Sequence, residues 1–107
     1  MGEGAGPSLD GGLPGLGAFG EATGTVFRVE VDDERWVEVT LVEVKHADVR
    51  PGWEAFSLLF VGPRAPFPQA TYAVEHEALG SFPLFLVPIA TDEGGQRYEA
   101  VFNRPMS

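Results

Sequence analysis

From Thr25 onward the apolar residues recur at every second position: in TVFRVEV, Phe27, Val29 and Val31 share one face and Arg28 and Glu30 the other. Successive side chains of an extended chain point to opposite sides, so this period marks a strand buried on one face. The same alternation returns in RWVEVTLVEVK, TYAVEHE and RYEAVFN, and WEAFSLLFV and LFLVPIA are further strand-length apolar runs. Between these runs stand segments that cannot continue a ladder. DDE at 32–34 is a tight polar connection, HADVRPG is a loop, and GPRAPFPQA holds three prolines in nine residues. In TDEGGQ, Gly94 and Gly95 can adopt the positive φ of a hairpin turn. A chain of 107 residues with 14 Gly and nine Pro, cut this way and lacking a sustained helical period, is expected to be all-β. The expected architecture is a six- or seven-stranded antiparallel small barrel or sandwich, formed by a single domain over residues 18–107.

Several details refine this outline. In the second run Val37, Val39 and Leu41 share a face, which Val42 and Val44 then continue, so one extra residue near Leu41 and Val42 predicts a bulge or bend. WEAFSLLFV is apolar on both faces, as in a strand that is central or covered by a partner. Pro88 removes a ladder donor from the fifth run and argues for an edge or a bulge there. Residues 1–17 contain seven Gly and two Pro and read as a flexible tail. The spacing of Leu13, Leu16 and Phe19 allows one short helical turn within 13–22.

Seven basic against 16 acidic side chains give a formal charge of −9, which disfavours nucleic acid and anionic membrane surfaces as partners. With no Cys there is no thiolate nucleophile and no sulfur-ligated metal. The N-terminus lacks the basic and apolar regions of a signal peptide, and Gly6 stands where a myristoylation signal needs Ser or Thr. No segment approaches the apolar length of a membrane span. A cytoplasmic location is expected, or export within an assembly without a classical signal peptide.

The segment YAVEHEALG sets Glu75, His76 and Glu77 side by side, and the only other histidine is His46. His46, Asp48 and His76 with one Glu are the available candidates for a metal site of two His and a carboxylate. Strand geometry opposes it: Glu75 and Glu77 share one side while His76 joins Tyr72 and Val74 on the other. His76 is therefore expected at a strand end, hydrogen-bonded or capping the core, and no cofactor is expected. GLGAFG at 15–20 matches a dinucleotide fingerprint in letters, but that chemistry requires a strand before it, where the glycine tail stands. No G-x-S-x-G nucleophile elbow occurs, and carboxylate pairs among 16 acids carry no information. Asp32, Asp33, Glu34, Asp92 and Glu93 fall in two hairpin tips without a calcium-loop pattern, so they read as solvated turns. Phe56, Phe60, Phe85, Tyr98 and Phe102 are assigned to the core. Trp36 and Trp53, near strand starts, are candidates for binding.

The ordered segments GTVFRV, FSLLFVGP, TYAVEHEALG, LFLVPI and YEAVFN resemble a family of small uncharacterised bacterial proteins carrying a domain of unknown function. The likeness covers about residues 19–104. It implies association with tail-like or surface fibres, since members are often encoded near phage-tail-collar-like proteins. It carries over no catalytic residue. The expected function is a non-enzymatic interaction or assembly module, with a protein partner or self-association. Its expected contacts are Trp36, Trp53, the loop Pro63 to Pro68 with Phe67, and an edge strand around Pro88. A small-molecule-binding barrel is the alternative, and a metal-dependent enzyme using His46 and His76 the third.

Overall fold

The computed structural model describes residues 13–48, 50–64 and 66–105, so the tail expected for 1–17 lies largely outside the described residues. A short helix α1 (Leu16–Glu21) precedes six strands: β1 (Val26–Asp32), β2 (Arg35–Ala47), β3 (Trp53–Gly62), β4 (Ala70–His76), β5 (Gly80–Asp92) and β6 (Gly95–Pro105). The helix begins inside the stretch assigned to the tail. It is the turn that the spacing of Leu13, Leu16 and Phe19 allowed.

The strands close into an antiparallel barrel in the order β1-β2-β3-β6-β5-β4. Two three-stranded meanders, β1 to β3 and β4 to β6, are joined along β3/β6 and β1/β4. The first seam is long, running from Trp53 opposite Pro105 to Gly62 opposite Gln96. The second pairs only Arg28 with Glu75, Val29 with Val74 and Glu30 with Ala73. Closure leaves no free edge at Pro88. That residue lies opposite Tyr98 beside a register shift that leaves Ile89 out of the ladder, so the lost donor is absorbed by a bulge.

The bulge expected in β2 is present: the register against β3 shifts between Leu41 and Glu43. Val42 is the extruded residue and is exposed, so the inward face passes from Leu41 to Val44. Bulges in β2 and β5 let each long strand pair with one neighbour over its first half and another over its second. That bending is what a small barrel requires.

The alternation sorts the side chains as the period implies. Phe27, Val29, Val39, Leu41, Phe56, Leu58, Phe60, Val74, Leu84, Leu86 and Tyr98 fill the interior. Two aromatic rings plug the ends. Phe19 of α1 lies against Phe27, Phe56, Phe82 and Phe102, with ring centroids 5.6–6.4 Å apart. At the other end Phe67 stacks on Tyr98 at 4.2 Å and meets Tyr72 edge-on at 4.8 Å. The Phe67 N–H donates to the Tyr98 hydroxyl, and the Tyr72 hydroxyl donates to the Pro68 carbonyl. Burial raises both phenols above their ordinary pKa; for Tyr98 the Phe67 N–H opposes the shift. The interior is thus packed from end to end.

Candidate functional site

His76 ends β4 at the thin β1/β4 seam, where its ring sits 4.4 Å from that of Phe27. Its Nδ1 accepts the backbone N–H groups of Ala78 and Leu79 at 3.0 and 3.2 Å. An Nδ1 that accepts two donors carries no proton, which assigns the proton of the neutral ring to Nε2. That Nε2–H points at Thr25 Oγ1, 2.7 Å away, and the Thr25 hydroxyl donates its own hydrogen bond to the Ala22 carbonyl. The chain of bonds ties the β4–β5 turn to the end of α1 and the start of β1. On the outer face of the same seam Arg28 pairs with Glu75. The triplet is therefore divided as the two-residue period implies: Glu75 outward in an ion pair, Glu77 exposed in the turn, His76 inward as a clasp.

Replacing His76 by Ala should destabilise the protein by roughly 1–3 kcal/mol, because two backbone donors and the Thr25 hydroxyl lose their partner together. Urea denaturation measures the loss. Amide exchange should accelerate first along Arg28–Glu30 and Val74–His76; an unchanged seam would show the clasp to be idle.

His46 does not join His76. It is exposed near the end of β2, opposite Phe56, and Asp48 is exposed beyond that strand. Among the described residues no three His, Asp or Glu side chains are grouped to hold a metal ion. GLGAFG supplies the N-cap Gly15 and all but the last residue of α1, a helix shorter than two turns with no strand leading into it. At the β5–β6 tip Asp92 Oδ1 accepts the Gly94 N–H and Oδ2 accepts from Arg97 Nε at 2.9 Å. The Arg97 bond first, then the Gly94 N–H, hold the Asp92 carboxyl below its usual pKa. These bonds order a turn.

The four expected contact residues scatter. Trp36 is exposed on the outer side of β2, with the Arg28 guanidinium 6.0 Å from its ring. Trp53 is half-buried at the start of β3 under Arg50, 4.5 Å away. Pro88 is half-buried within the closed ring. Phe67 requires correction: its loop crosses the open end of the barrel, and the ring is core, with 3% exposure.

Phe85 is the converse case. Phe82, Leu84 and Leu86 point inward on β5, so Phe85 points outward and is 49% exposed. It belongs to an apolar outer wall formed by β3, β6 and β5. Val101 on β6 is 70% exposed and Ile89 on β5 49%. Leu59 and Val87 flank Glu99 on the same side, paired with it from β3 and β5. Val42, extruded from β2, and Val61 of β3 border one shallow groove at the wall's end. The opposite wall presents Arg28, Glu30, Glu38 and Glu75 from β1, β2 and β4, with the exposed apolar side chains of Trp36 and Val26 among them. The two-faced apolar runs LFLVPIA and WEAFSLLFV were the available signal for the wall.

No helix among the described residues is long and apolar enough to cross a membrane. A family model described as a domain of unknown function, DUF6916, matches residues 15–102. No curated protein and no solved structure matches the chain.

Proposed function

We propose that the chain, which belongs to the DUF6916 family of domains of unknown function, is a non-enzymatic interaction module that joins a protein assembly through its β3–β6–β5 wall. The carrying observation is the contrast between the two outer walls. One is charged, with an internal ion pair; the other keeps Val101, Phe85 and Ile89 in water around half-buried Leu59 and Val87. Single exposed apolar side chains are ordinary, but several gathered on one face, here around Glu99, mark a contact surface. The genomic company of the resembling bacterial proteins makes a tail-like or surface fibre system the assembly to examine first.

The packed interior favours this reading over a ligand-binding barrel. A small-molecule site is a concavity that encloses its ligand, whereas here Phe19 and Phe67 plug both ends over a filled core. Among the described residues, His46 and Asp48 stand apart from the His76 clasp and no three His, Asp or Glu side chains are grouped as the ligand set that the metal-dependent alternative needs.

Val101→Glu adds a charge at a position already exposed, so the fold should be retained while the wall is spoiled. Pull-down from the native host should lose its specific protein with Val101→Glu and keep it with Trp36→Glu. A wild-type chain that neither self-associates nor captures any specific protein overturns the proposal, as does equal capture by both variants.

A further inference from the structure

We infer that the occupant of the β3–β6–β5 wall is a second copy of this chain, related by a two-fold axis. The inference rests on the interaction reading above and names its partner. With 16 acidic and seven basic side chains, two copies repel one another over most approaches. On this wall the charges are interleaved instead. Lys45, the chain's single lysine, stands on the outer side of β2 opposite Ser57. Glu43 and Glu99 flank Leu59 in the next row, paired with it from β2 and β6. All three charged groups line one small hollow with Ser57, Leu59 and Ile89.

Among the described residues, Lys45, Glu43 and Glu99 form no ion pair within the chain, although Arg28, Arg35, Arg97 and Arg104 each have an acidic partner. An uncommitted base and two uncommitted acids therefore sit beside an apolar centre. A two-fold interface repeats every contact in reverse, so Lys45 of one copy over Glu99 of the other gives two equivalent ion pairs. Leu59, Ile89 and Val101 would be covered between them. Exposed ion pairs contribute little, but at the border of an apolar contact they set orientation and exclude mismatched partners. The β1–β4 wall offers no such match, because Arg28 is already bound to Glu75, Arg35 at the β1–β2 tip is paired with Asp32, and Glu30 and Glu38 there are acidic.

Charge reversal supplies the test. Sedimentation of the full-length chain from micromolar to millimolar concentration should show a monomer–dimer equilibrium. Lys45→Glu and Glu99→Lys should each weaken it on the order of a hundredfold, since each places like charges together twice per dimer. Mixing the two variants should restore dimerisation, because each mutated residue then faces its opposite charge. Circular dichroism confirms that both retain the fold. A wild-type chain that stays monomeric at millimolar concentration overturns the inference, and so does a mixture that fails to recover. If the monomer still captures another protein in a manner abolished by Val101→Glu, the interaction reading stands and the second copy as occupant is rejected.

Discussion

Phe19→Ala should lower the unfolding free energy by about 3–5 kcal/mol, the range for deleting a fully buried aromatic ring. For a domain whose total stability is on the order of 5–15 kcal/mol, this is a shift that leaves the protein marginal. Phe19 has no exposed surface and touches rings from four different strands, Phe27, Phe56, Phe82 and Phe102. Removing it empties the end of the barrel that α1 closes. Phe19→Leu, which conserves most of the volume, should cost under about 1.5 kcal/mol. Urea denaturation of the three proteins tests the assignment. A loss below 1 kcal/mol for the Ala variant would mean that the helix is a lid lying on a core already complete without it.

Gly95→Ala is expected to be nearly as damaging, for a backbone reason. Gly95 closes the β5–β6 turn with φ +127°, a conformation that side-chain-bearing residues rarely adopt. An added Cβ would also run into the Gly62 carbonyl oxygen, main chain that cannot swing away, with Val61 Cγ1 at 3.2 Å. Strain and overpacking together should cost on the order of 3 kcal/mol. Gly94→Ala is the control: its added Cβ meets only Asp92 Oδ1, at 3.3 Å, on a side chain at the exposed tip. Thermal unfolding should therefore separate the two, with Gly95→Ala much the lower. Equal transitions would contradict the close approach of the turn to the end of β3.

The strands were legible because each is an alternating or wholly apolar run of strand length bounded by turn or loop signals. The β2 bulge was legible because an extra residue breaks the phase of a regular alternation, although the alternation placed Val42 on the inward face and it is Val42 that is extruded and exposed. Order around the ring was not legible. Pairing of β3 with β6 and of β1 with β4 joins segments far apart in sequence, and local period carries no record of it. The same gap explains Phe67 and Phe85. A proline-rich loop reads as surface until closure shows that it crosses an open barrel end. LFLVPIA is apolar at both parities, so only the burial of Phe82, Leu84 and Leu86 tells which face Phe85 takes.

His76 lies between these cases. Its separation from Glu75 and Glu77 follows from strand geometry alone, yet its partner Thr25 stands 51 residues earlier and is supplied by the β1/β4 seam. The histidine that the letters set between two glutamates is hydrogen-bonded across the thin β1/β4 seam. The proposed contact function rests elsewhere, on the exposed Val101, Phe85 and Ile89 of the β3–β6–β5 wall.

Site-specific photo-crosslinking in the native host tests this claim most directly. A photoreactive residue placed at Val101 should form a discrete protein adduct, whether with a second copy or another chain, and the same residue at Trp36 should form none. Adducts from Trp36 with none from Val101, or the same diffuse background from both, would contradict the assignment of the β3–β6–β5 wall as the contact surface.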